Sequence, residues 1–112
     1  MVSNKFEIPI YRGSVTMYFG ENLEFIQKEY KTTDLSNYGA VTLDNPDNSF
    51  RNYIVAFECI DFSLVAHEVV HLKNHIFRDC GLELDRHNDE AEAYLTGFLF
   101  KEIENFLNKH KK

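Results

Sequence analysis

The sequence predicts a small α+β domain, on three observations. Two runs rich in β-branched and aromatic residues flank Arg12-Gly13-Ser14 near the N-terminus. A compact apolar run, Tyr53 to Glu58, leads into a long stretch with apolar residues at helical spacing. A second such stretch closes the chain. Strands interleaved with helices in this way suit a small mixed sheet with helices packed on it, in the order β-β-α-β-β-α-α.

Taken in order, Lys5 to Tyr11 alternates well enough for a first strand, and Pro9 marks it as an edge strand or an irregular one. Arg12-Gly13-Ser14 is a turn, and Val15 to Phe19 is a second strand that completes a hairpin. Asn22 to Tyr30 carries Leu23, Ile26 and Tyr30 on one helical stripe, with Phe25 off it, and reads as a short amphipathic helix. Thr32 to Asn37 is polar loop. Gly39 to Leu43 is a third strand, Asp44 to Ser49 is turn chemistry throughout, and Tyr53 to Glu58 is a fourth strand. Asp61 or Ser63 caps a helix that runs to about Asp79 and stops at Cys80-Gly81. After a loop from Leu82 to Asn88, a last helix runs from about Asp89 to Lys109, with acidic residues in its first turn.

Composition narrows the class. The 112 residues suit one domain spanning 1–112, and 44% hydrophobic content with 10 Phe and 6 Tyr is enough for a core. A net charge of −6 argues against a nucleic-acid surface, which needs a basic patch. The one basic cluster, Lys109 to Lys112, suits a helix C-terminus and a frayed tail. No window approaches the ~18 apolar residues of a membrane span, and the N-terminus lacks the apolar run of a signal peptide. Cys59 and Cys80 stand at the two ends of the long helix, too far apart to bridge. Two free, buried thiols and a cytoplasmic setting are the expectation.

The chemistry concentrates in Ala66-His67-Glu68-Val69-Val70-His71, which reads H-E-x-x-H. On a helix, His67 and His71 lie one turn apart on one face, so both imidazoles can point at one zinc ion. Glu68 lies about 100° round the helix, where it can reach a water on that ion without being a ligand. Zinc lowers the pKa of bound water towards ~7, and a carboxylate beside it takes the proton. The plain alternative is a helix with two half-exposed histidines and a surface glutamate. His75 continues the row but lies roughly 12 Å along the axis from His67, too far to share an ion. The longer H-E-x-x-H-x-x-G-x-x-H site is absent, because Asn74 and Phe77 stand where Gly and His would be needed.

A catalytic zinc site usually has three protein ligands. Glu90 and Glu92 follow the motif, about 200° apart on the last helix. Glu92 leans towards Leu95 and Leu99, and Glu90 shares a face with Tyr94 and Gly97, so face arithmetic leaves both open. Tyr94, His87 and Arg86 are the nearby candidates to stabilise a developing oxyanion. Asp61 and Asp79 are candidates to orient a zinc-bound imidazole.

H-E-x-x-H followed some twenty residues later by Glu on the next helix resembles the gluzincin group of zinc metallopeptidases. More narrowly, Ile8-Pro9-Ile10-Tyr11, the motif itself, and Glu90-Ala91-Glu92-Ala93-Tyr94-Leu95-Thr96-Gly97-Phe98-Leu99 resemble small phage-encoded zinc-dependent peptidases. The resemblance covers most of the chain, although only the zinc motif is chemically specific. It implies a minimal zincin-like domain holding one zinc ion by His67, His71 and Glu90, where Glu90 opens an E-x-x-A pattern. It further implies Glu68 as general base, a peptide or protein substrate, and the host cytoplasm as setting; Tyr94, one turn after Glu90, is the expected accessory catalytic group by its position. The strand Tyr53 to Glu58 is the expected cleft edge, along which an extended substrate would pair. So small a chain leaves room for a larger assembly or partner protein to complete the cleft. The rival reading is a zinc-binding phage accessory, regulatory or virion-associated module without peptidase activity.

Overall fold

The computed structural model describes residues 1–44 and 51–111. Most of the expected turn after Asp44 lies outside them. Four strands, β1 (Val2–Glu7), β2 (Ser14–Phe19), β3 (Ala40–Asp44) and β4 (Asn52–Phe57), form one mixed sheet in the order β1-β2-β4-β3. β1 is antiparallel to β2 and β3 to β4, while β2 and β4 run parallel at the centre. The helices are α1 (Glu24–Tyr30), α2 (Phe62–Asp79) and α3 (Glu90–Lys109), so the expected order of elements is observed.

The sheet separates two apolar layers because alternate residues of a strand face opposite sides. Tyr53, Val55 and Phe57 of β4 join Val15 and Met17 of β2 against Val65, Val69, Leu72 and Ile76 of α2 and Leu99 and Ile103 of α3. On the other face Ala56 packs with Leu23, Ile26 and Leu35 around α1. Phe25, off the stripe of α1, is 46% exposed.

Two sequence expectations need correction. The first strand begins and ends earlier than Lys5 to Tyr11. Its polar start, Val2 to Asn4, lacks an apolar pattern but pairs with Met17 to Phe19 through backbone hydrogen bonds. Pro9 then lies in a turn, closed by Tyr11 N–H to the Pro9 carbonyl at 2.7 Å. The second correction concerns the cleft edge. β4 is flanked by β2 and β3 and has no free edge; the free edge on that side of the sheet belongs to β3. The apolar run in Tyr53 to Phe57 is the mark of a strand covered on both faces, and all five residues are buried.

The motif helix has well-defined ends. The Asp61 carboxylate accepts the Ser63 backbone N–H at 2.9 Å, the bond a helix N-cap supplies. At the other end Gly81 takes φ +71, Leu82 N–H reaches the Phe77 carbonyl at 2.8 Å, and Gly81 N–H reaches that of Arg78. That pair of bonds is a Schellman stop, in which glycine relieves the steric cost of the left-handed backbone. α3 then folds back on α2, and no helix among the described residues is long and apolar enough to cross a membrane.

Candidate metal and catalytic site

α2 places the three motif side chains by its own periodicity. Its buried stripe points Val65, Val69, Leu72 and Ile76 into the core, which leaves His67 and His71 on the outer face. Their Nε2 atoms stand 3.2 Å apart, with ring centroids 4.9 Å apart and rings crossed at 73°. Two nitrogens bound to one tetrahedral zinc at about 2.0–2.1 Å would stand about 3.4 Å apart. The pair therefore fits two positions of one ion. The His67 side chain is 64% exposed and His71 is exposed beside it, so these imidazoles are open to solvent.

Glu68 lies between that open face and the sheet, at 6% exposure. The Thr42 hydroxyl of β3 donates to Glu68 Oε1 at 2.8 Å, and Glu68 Oε2 lies 3.9 Å from His67 Nε2. One carboxylate oxygen is thus tied to the sheet and the other is turned towards the histidine pair. Sequence periodicity did not single out Thr42, because its partner lies 26 residues further along the chain.

The carboxylates of α3 take different positions. Glu92 meets Lys73 of α2, Nζ to Oε2 at 2.8 Å, and Lys73 is 7% exposed. A buried ammonium needs such a partner, so Glu92 is engaged by the helix pair. Glu90 begins α3 on its exposed side, with the helix N-terminus favouring its charge. Among the described residues no three His, Cys, Asp or Glu side chains converge on one metal-sized point, so Glu90 is not gathered with His67 and His71. Tyr94 is 76% exposed on the same side of α3 as Glu90, and His87 and Arg86 are exposed in the preceding loop.

The two aspartates named as candidates to orient an imidazole are engaged by other partners. Asp61 Oδ1 accepts the N–H and hydroxyl of Ser63. Asp79 accepts the Tyr53 hydroxyl at 2.7 Å and an Arg78 N–H at 3.1 Å. Burial, and then that hydrogen bond, push the Tyr53 phenol well above its ordinary range. Arg78 also reaches Asp44 at 2.6 Å, and Asp44 lies 4.0 Å from His75. Burial holds the His75 imidazole below the ordinary histidine value, against the pull of Asp44. This network ties the last turn of α2 to β3 and β4. Cys59 and Cys80 are free thiols as expected, but Cys59 is exposed rather than buried.

Comparison with known proteins returned no match among family models, curated proteins or solved structures.

Proposed function

We propose that the chain is a minimal zinc metallopeptidase. The observation that carries the reading is the Nε2–Nε2 separation of 3.2 Å between His67 and His71 beside a buried, tethered Glu68. His67 and His71 would hold the ion, with Glu90 as third ligand. Bound zinc supplies Lewis acidity, polarising a carbonyl and acidifying water. The chain's own part is to hold a base and to align a substrate. Glu68 accepts a proton on Oε2, while Thr42 keeps Oε1 fixed and limits the carboxylate's freedom to turn. The free edge of β3, the strand that carries Thr42, is where an extended peptide would add by main-chain hydrogen bonds. Tyr94 would donate to the oxyanion.

One observation favours the rival reading, a zinc-binding module without peptidase activity. Glu90 is not gathered with the histidine pair. Zinc stoichiometry and peptide hydrolysis, measured together, separate the two. The peptidase reading expects about one zinc per chain, lost in His67→Ala, His71→Ala and Glu90→Ala but kept in Glu92→Ala. It also expects Glu68→Gln to keep zinc and to lose turnover. Turnover that survives Glu68→Gln, or a wild-type chain that takes up zinc yet cleaves nothing in a broad peptide library, would leave the binding module.

A further inference from the structure

At the end of the sheet where α2 begins, β1, β2, α1, the connection from β4 to α2 and the cap residue after α3 surround a hollow of about 1060 Å³. Its floor is apolar and open: Met1 is 49% exposed, Val2 40% and Phe25 46%, and the half-buried Phe19 and Ile60 complete it. The rim is acidic. Glu21, Glu24 and Glu58 line it, with Lys28 and His110. A second hollow of about 370 Å³ shares Asn22, Glu24, Lys28 and Glu58 and adds Asp34, so the two form one trough. Over the whole trough four carboxylates, Glu21, Glu24, Asp34 and Glu58, outnumber Lys28 and the Met1 ammonium, with His110 beside them. Among the described residues no ion pair engages Glu21, Glu24 or Glu58.

From the trough's shape and charge we infer that it binds a cationic, amphipathic segment of a partner protein, with lysine or arginine at the rim and apolar side chains on the floor. An open floor with half-exposed side chains would leave a small molecule largely in water, whereas a peptide lying along the trough would cover it. Exposed apolar residues gathered in one hollow mark an interaction surface more than scattered ones do. Unpaired carboxylates around them select a positive partner by charge complementarity. This inference does not rest on the peptidase reading.

The test uses a fluorescein-labelled peptide of lysine and leucine in amphipathic helical register, and its counterpart with glutamate for lysine. Binding is read by anisotropy at about 0.15 M ionic strength. The lysine peptide is expected to bind and the glutamate peptide not to. Glu21→Lys with Glu24→Lys should weaken binding about tenfold, a loss of about 1.4 kcal/mol. Phe25→Ser should weaken it severalfold with the rim charges intact. The control is Glu7→Lys with Glu83→Lys, which makes the same change in net charge on exposed residues away from the trough. It should leave binding within twofold or so of wild type. Equal weakening by the control, equal binding of both peptides, or no binding of the lysine peptide would each overturn the assignment.

Discussion

At the scale of single residues, the tether between Thr42 and Glu68 matters most. Glu68 is 6% exposed, and the Thr42 hydroxyl holds one of its oxygens at 2.8 Å. Removing that donor leaves a buried acceptor short of a partner, which costs about 1–3 kcal/mol. Thr42→Val keeps the shape and the strand preference, so the loss should appear almost undiluted in urea unfolding. Thr42→Ser, which restores the hydroxyl, should recover most of it. Equal stability of Thr42→Val and wild type would show that the tether carries no weight. His67, Glu68 and His71 were legible before any fold was known, since their spacing is local and a helix turns it into geometry. Thr42 was not, because nothing in a strand's alternation says which helix residue its side chain will meet.

At the scale of elements, the pairing of α2 with α3 turns on Lys73 and Glu92. Lys73 keeps 9% of its side-chain surface exposed and Glu92 27%. The two partners are therefore unequal. Glu92→Ala strands a buried ammonium, and the cost approaches the roughly 3–5 kcal/mol of a broken buried pair, reduced by the water that reaches the Glu92 side. Lys73→Met removes the charge, keeps the chain's aliphatic volume and leaves a carboxylate that can turn to solvent, so it should cost clearly less. Thermal unfolding of both variants checks the order; a costlier Lys73→Met would mean that the ammonium is better solvated than its burial implies. The helix faces had placed Glu92 beside Leu95 and Leu99, and that part was readable. The burial of Lys73 was not, since a lysine in an amphipathic stretch reads as surface. β4 is the opposite case. Its five-residue apolar run already signalled a strand covered on both faces, whereas its place between β2 and β3 depends on pairings that no local pattern carries.

At the scale of the whole molecule, the core and the candidate metal site are separate. The two apolar layers lie on opposite faces of the sheet, and neither His67 nor His71 belongs to them. Small metal-dependent domains unfold without their ion because the ion replaces a core. This chain already has one, with Tyr53, Phe57, Leu72, Leu99 and Ile103 almost entirely out of water. Under the peptidase reading, zinc should therefore add to the fold's stability rather than create it. Free zinc at about a hundredfold over Kd adds about 2.7 kcal/mol by mass action. For a chain of this length that is a rise in Tm on the order of 10 °C. Chelation should remove the rise and leave near-ultraviolet circular dichroism and a cooperative transition in place. His67→Ala should melt at the chelated wild-type temperature with or without zinc, because the exposed imidazole contributes through the ion and little through packing. Loss of tertiary structure on chelation would mean that the ion holds α2 against the sheet, and the separation of core from site would fail.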